Sequence, residues 1–523
     1  MSRLERSFGD GPGPPPRVWV YGLVATAVVL AALLRLLPRW PGLAQQVALP
    51  PLDLFADTRV LMARASSLPL FAIGIVLAVV ARAALLAVVL GFTRRRFRFA
   101  LRFYVAALVP ALLASGLDFS GRAILYAYLI WGGLLIALAT FIVLGAAPWV
   151  DRDTLHRALG TAVRRRFRFA ALAAYLVALA VIGDAWRRPG AAGQVIVVPI
   201  SALLTAFAAR RLTAPAIRPS LRGASIVAAA LVIAIAFAVS LSRTSDHTTA
   251  TAPPRRGSLL LVPGVDTSTG HGAMFKLDPR ALGYSCAQTF YYSYRGPGTG
   301  GPQADARCPI RSGTPYQRSD TTRPLAQLAS ALRAEIVGLP RPVVVVTHSQ
   351  AAWIAWSAIT GEPDTAVSAL VMLAPFDQGL APYPPPNTNR TGAAGGAAVR
   401  LTTELGRTFG ISKFDPDAPL ARELQGTPGA VERLVAHPLP STVRGAGVIA
   451  RGDFPLEPRS WPNGLPEACP GWLMHAALPT SSVATGAAAR FLAGKPLASC
   501  PRAIETIGHA TDAFGAPPPD ASN

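Results

Sequence analysis

The segment Val343–Trp353 reads VVVVTHSQAAW and carries the strongest chemical signal in the chain. Four consecutive valines suit a parallel strand buried on both faces. They lead into Thr347-His348-Ser349-Gln350-Ala351, and apolar helical patterning begins at once. A serine on such a turn is a candidate nucleophile. It needs a base within hydrogen-bond reach and an acid that orients the base. The carboxyls downstream include Asp377, Asp453 and Glu457, and the imidazoles include His437, His475 and His509, with His271 upstream. Taken alone, Ser349 also reads as a buried structural serine at a strand end.

Strand, turn and helix together resemble the nucleophile elbow of the α/β-hydrolase family, usually G-x-S-x-G. Small residues flank the serine there because the turn brings backbones close. Here Thr347 and Ala351 occupy the glycine positions, and His-Ser-Gln in the middle is similar to lipase-like members. The resemblance spans roughly residues 258–494. It implies that Ser349 attacks an acyl carbonyl and that acid and histidine follow in that order.

Arg451-Gly452-Asp453-Phe454-Pro455 follows an apolar strand pattern at 444–450 and matches the family's acid-bearing loop. Asp453 is therefore the expected acid, with Glu457 in reserve. Asp377, after the strand pattern at 367–373, is the alternative acid, since some members place it there. Trp472-Leu473-Met474-His475 precedes the last helix pattern, as the family's catalytic histidine does, so His475 is the expected base. His437, His271 and His509 do not fall before that helix. His348, beside the serine on the turn, is expected to point away from the site.

The oxyanion hole is expected to use two backbone amides. One belongs to Gln350. The other, by resemblance, belongs to Val265 in Leu261-Val262-Pro263-Gly264-Val265-Asp266, where Pro263 replaces the histidine of the family's His-Gly-x loop. The long stretch before the acid strand is Pro/Gly-rich over 381–396 and helical near 399–405. Such an insertion acts as a lid or substrate cover in the family, or is a surface loop. The resemblance implies no metal and no organic cofactor.

The elements that must position these residues alternate. Strand patterns at 258–262, 289–294, 343–346, 367–373 and 444–450 interleave with helix patterns at 325–336, 351–359 and 482–492. This alternation predicts an α/β domain with a mostly parallel sheet and helices on both faces. Its expected limits are 257–510, followed by a disordered tail over 511–523. The linker at 242–256 reads SRTSDHTTATAPPR plus Arg256, polar and without apolar periodicity.

Upstream the composition changes. A spanning helix needs about 20 mostly apolar residues. Segments 18–37, 68–90, 99–117, 123–144 and 224–241 meet or approach this, and 169–182 and 195–208 are shorter. The expectation is a transmembrane domain of about seven helices over 18–241, with 1–17 a cytoplasmic tail. The first span reads as a signal anchor, since no small-residue cleavage site follows it. The turn between the third and fourth spans is expected at 118–121. Arg82 falls inside the second span, and an intramembrane arginine is a functional candidate by default. The string RRRFRFA occurs at 94–100 and again at 164–170, each time leading into an apolar run. A duplicated helical hairpin explains it, as does repeated Arg/Phe usage at a membrane interface.

The formal net charge of +22 raises nucleic acid as a partner. The densest clusters, Arg94–Arg98 and Arg164–Arg168, sit instead at the edges of apolar runs, where positive-inside bias places arginine. The orientation that follows puts the N-terminus in the cytoplasm and the C-terminal domain outside the cell membrane. The four cysteines, Cys286, Cys308, Cys469 and Cys500, all lie in that domain. Disulfides are expected in an oxidising compartment, paired by sequence proximity as 286–308 and 469–500.

Together these features predict a membrane-anchored, extracytoplasmic serine hydrolase cleaving lipid or cell-envelope acyl esters. Acyl transfer to an alcohol through the same triad is one alternative. A non-catalytic binding or assembly role is another. The expected partners are the lipid bilayer and the acyl ester. Sequence does not fix the oligomeric state.

Overall fold

The computed structural model describes residues 16–38, 40–124, 126–149, 158, 167–185, 190–213, 252–361, 365–376, 383–410, 414–450, 464–500 and 502. The chain divides into two units, one mainly helical and N-terminal, the other mainly C-terminal.

The N-terminal unit is built from helices α1 (Trp19–Leu33), α2 (Leu52–Arg64), α3 (Leu68–Val89), α4 (Arg94–Ala123), α5 (Ala127–Leu144), α6 (Phe167–Ala185) and α7 (Gly190–Thr213). Among the described residues, four segments are long and apolar enough to cross a membrane: Leu68–Val89, Arg94–Ala123, Tyr128–Trp149 and Ile196–Thr213. Helix α1 is shorter than the expected span at 18–37. It ends at Leu33, and Arg35 takes a left-handed φ of 60° ahead of Pro38, which cannot continue a helix. The segment 224–241 lies outside the described residues, as do the first three arginines of the second RRRFRFA copy.

One expectation changes here. Residues 118–121 do not form a turn but continue α4, and the chain reverses after Ala123. Gly133 of α5 explains the extension. A Cβ there would meet the Ala114 carbonyl oxygen at 2.6 Å, so its absence lets α5 lie against this end of α4. The segment between the first two apolar runs holds a 3₁₀ helix (Pro41–Val47) and the largely buried helix α2.

Among its described residues the C-terminal unit holds a six-stranded, all-parallel sheet in the order β2-β1-β3-β4-β5-β6. The strands are β1 (Ser258–Val262), β2 (Thr289–Tyr291), β3 (Val343–His348), β4 (Val367–Leu373), β5 (Arg444–Val448) and the short edge strand β6 (Glu467–Ala468). Every residue of β1 and β3 is buried, so both sheet faces are covered. Helices α8 (Leu325–Val337), α9 (Ala351–Thr360), α11 (Ala430–Val435) and α12 (Ser482–Leu492) contribute to the core around the sheet, and α10 (Ala393–Thr408) follows β4 in the chain. Helices α8 and α9 pack on each other, while α12 packs on β5 and on the 3₁₀ turn Pro279–Leu282. The α/β class and the strand and helix positions agree with the sequence reading. Strand β2 ends at Tyr291 and not at 294, and β6 and α11, two and six residues long, carry too little pattern to be read.

Both expected disulfides are present, Cys286–Cys308 with Cα atoms 5.2 Å apart and Cys469–Cys500 with Cα atoms 4.8 Å apart.

Candidate active site

In open parallel sheets ligands bind beyond the carboxyl ends of the strands. Three non-glycine residues take left-handed backbone angles there: Asp266 (φ 60°) after β1, Ser349 (φ 62°) after β3 and Ala374 (φ 50°) after β4. Such angles cost of order 1–2 kcal/mol each for an L-residue. Strain of this kind persists where surrounding structure over-determines it, and it clusters at functional sites.

Ser349 lies between the last residue of β3 and α9. Its N–H donates to the Leu373 carbonyl at 2.9 Å, and its carbonyl accepts from the Ala352 N–H at 3.0 Å. The turn is thus closed on the sheet side and on the helix side. The small residues flanking it are needed, because Thr347 and Ala351 are completely buried.

The loop after β1 comes directly over this turn. A Cβ on Gly264 would meet the His348 carbonyl oxygen at 3.0 Å, the Ser349 Cβ at 3.2 Å and the His348 Nδ1 at 3.3 Å. Glycine is required there because two backbones touch. Side chains that the sequence did not single out hold the loop. The Tyr294 hydroxyl donates to the Pro263 carbonyl at 2.5 Å, and the Thr267 hydroxyl donates to the Gly264 carbonyl at 2.8 Å. Burial pushes the Tyr294 phenol well above its usual value, which keeps it a donor. Thr321 ties the two halves of the expected oxyanion hole together. Its hydroxyl accepts from the Asp266 N–H at 3.3 Å, and its carbonyl accepts from the Gln350 side-chain amide at 3.2 Å. Gln350 is buried and begins the first turn of α9.

His475 opens the 3₁₀ turn His475–Thr480 that precedes α12. Its ring lies between two others. The His348 ring is 4.7 Å away between centroids, and the Phe376 ring stacks against that of His475 at 5.7 Å and 22°. Phe376 is fixed in turn, because its carbonyl accepts from the Trp353 indole N–H at 2.8 Å. The structure therefore brings His475 to the end of the sheet where Ser349 sits.

His348 does not point away, as the sequence reading had it. Its Nε2 is 3.0 Å from the His475 carbonyl oxygen. A carbonyl only accepts, so Nε2 carries the proton and donates. Burial, with the neighbouring His475 ring, pushes the His348 imidazole down to about 3, against the opposing effect of that hydrogen bond. It is a neutral strut between the serine turn and the histidine loop. The signal that could have revealed it is its position: the last residue of a buried strand has no solvent to turn toward.

The carboxyls Asp453, Glu457 and Asp377 lie outside the described residues. Val265 is half-buried within the loop just described, one residue beyond Gly264. Among the described residues no group of three His, Cys, Asp or Glu side chains is arranged to hold a metal ion. The arrangement places one strained serine on the β3–α9 turn, the Gly264 backbone against it and the His475 imidazole on a neighbouring loop.

Residues 259–518 match the family model described as "Alpha/beta hydrolase family". No curated protein matches the chain with significance.

Proposed function

The C-terminal domain of this chain belongs to the α/β-hydrolase family, and from that premise we propose a membrane-anchored serine hydrolase that cleaves acyl esters outside the cytoplasm. The observation that carries the reading is Ser349 at φ 62° on the β3–α9 turn, with the Gly264 backbone against it. A serine held in this costly conformation, at the carboxyl end of a parallel sheet, fits a nucleophile better than a packing role.

In this reading the Ser349 hydroxyl oxygen attacks the ester carbonyl carbon and His475 takes its proton. The tetrahedral oxyanion accepts hydrogen bonds from the Gln350 and Val265 amides. The carbon–oxygen bond to the leaving alcohol then breaks, and His475 returns its proton to that alcohol. Water, deprotonated by His475, attacks the acyl-serine and regenerates the hydroxyl. Asp453 orients His475 and stabilises its imidazolium, with Asp377 the alternative acid. The apolar helices favour a lipid or cell-envelope ester as substrate. The two disulfides and the arginine-rich segments before the apolar runs support an extracytoplasmic domain.

Labelling of membranes with a fluorophosphonate probe tests the proposal. The wild type is expected to label covalently and Ser349→Ala not at all. A folded wild type that resists the probe, or undiminished labelling of Ser349→Ala, overturns it.

A further inference from the structure

The helical unit contains a polar site with no place in the hydrolase reading. Arg82, in the middle of the apolar helix α3 and only 9% exposed, is enclosed by residues of the preceding segment. Its Nε and Nη2 donate to the two Asp57 carboxylate oxygens at 2.7 and 2.8 Å. Nη1 donates to the Gln46 carbonyl at 2.8 Å, and Nη2 also to the Gln46 Oε1 at 3.0 Å. Nη1 further lies 3.7 Å from Asp53, whose other partner is the Tyr104 hydroxyl at 2.6 Å. A guanidinium has five N–H donors, and these contacts occupy the fork.

Two observations mark this cluster as unfinished. The Gln46 Nε2 is buried and has no hydrogen-bond partner among the described residues, although the residue is only 4% exposed. The bond from Arg82 to Oε1 fixes which end of the amide is which. A buried donor without a partner is rare and calls for an explanation. Gln46, Asp57 and Arg82 also line one end of a cleft of about 630 Å³ between α1 and α3, within the roughly 300–1,000 Å³ of small-molecule sites. Its remaining walls are apolar. Ala27 and Ala31 of α1 and Gly74, Ala78 and Ala81 of α3 leave the space, and Leu23 and Leu77 at its lining are more than half exposed.

We infer that this cleft binds an uncharged acyl ester with a free hydroxyl, of the mono- or diacylglycerol type. On binding, the Gln46 side chain turns far enough for its orphan N–H, closed off in the free site, to donate to the ester carbonyl. The hydroxyl donates to Asp57, whose carboxylate retains lone pairs beyond the two that Arg82 occupies. Two carboxylates, Asp53 and Asp57, face one saturated guanidinium, so an anionic headgroup is repelled. An acyl chain is already in an apolar medium in the bilayer, so the polar contacts decide the preference. The site is separate from Ser349, and the inference stands or falls without the hydrolase activity.

The test uses the full-length chain carrying Ser349→Ala in lipid nanodiscs, so that no probe is hydrolysed. The probe is a diacylglycerol with a diazirine in one acyl chain. Saturable cross-links are expected on α1 and α3 peptides, competed by unlabelled diacylglycerol and not by phosphatidate. Gln46→Leu is expected to weaken binding roughly three- to tenfold. Ala81→Trp, or Ala27→Leu from the opposite wall should the first variant not purify as a monodisperse species, fills the cleft and abolishes labelling. Labelling that does not saturate, that survives both kinds of variant, or that phosphatidate competes equally well overturns the assignment.

Discussion

Gly264 sits where one added atom would press on the serine turn. Its place against the His348 carbonyl and the Ser349 Cβ leaves about 3 Å for any added carbon. Gly264→Ala must push the loop after β1 away from the serine turn, and Val265 moves with it. Loss of one oxyanion donor typically costs about 10²–10³ in rate. Fluorophosphonate labelling of Gly264→Ala is therefore expected to slow by at least tenfold while the protein still purifies folded. Unchanged labelling kinetics contradict a donor role for Val265. His348 works at the same scale but not by proton transfer, since it stays neutral down to about pH 3. The sequence identified Ser349 and His475 by type and position. It could not show that His348 touches the His475 backbone, because the two are brought together only when the loop before α12 folds over β3.

At the scale of elements, the segment bearing His475 is held at both ends. The bridge Cys469–Cys500 closes a loop of sequence separation 31 that contains β6's exit, the 3₁₀ turn His475–Thr480 and α12. The Cys469 N–H donates to the Ala498 carbonyl at 3.0 Å beside it. A loop of this size contributes about 2–4 kcal/mol through the unfolded state. Replacing both cysteines by serine is expected to raise amide exchange across 469–500 and to slow Ser349 labelling roughly ten- to a hundredfold, since small displacements of a catalytic group cost that much. Exchange and labelling identical to wild type show that packing of α12 alone suffices. The pairing itself was legible, because cysteines near each other in sequence had few alternatives. Helix α2 was not legible. Its 13 residues are short and mix charge with apolar side chains, and only the packed bundle shows that Asp53 and Asp57 face Arg82.

At the scale of the whole C-terminal domain, one buried carboxyl makes stability depend on pH. Glu335 of α8 is 6% exposed, and burial pushes it up to about 7, opposed by a hydrogen bond from the Ser293 N–H. Its folded value lies above the unfolded one of about 4.3. The folded state thus keeps a proton that the unfolded state releases, and stability falls as pH rises from about 4.3 to about 7. The loss is on the order of 3 kcal/mol. Glu335→Gln keeps an acceptor for Ser293 and removes the titration. Amide exchange of β3, corrected for intrinsic rate, is expected to show the wild type losing protection relative to the variant between about pH 5 and about pH 8, the opposing effect of His348 being common to both. A parallel decline in both proteins rules Glu335 out as its cause.

The sequence by itself determined the two-part organisation and the α/β order of the second part. Hydropathy and local periodicity are properties of consecutive residues, so runs such as Val343–Val346 or Leu68–Val89 announce their elements without a fold. It also determined the candidate serine, since a tight strand-to-helix turn leaves a local trace in residue size. Only the tertiary structure decided what surrounds that serine. Tyr294, Thr267 and Thr321 hold the β1 loop through contacts with residues as far as 55 positions away. The same holds for the Gln46–Asp57–Arg82 cluster, whose members come from three successive segments. Hydrogen bonds of this kind depend on atoms meeting within about 3 Å, and no one-dimensional pattern records which side chains will meet.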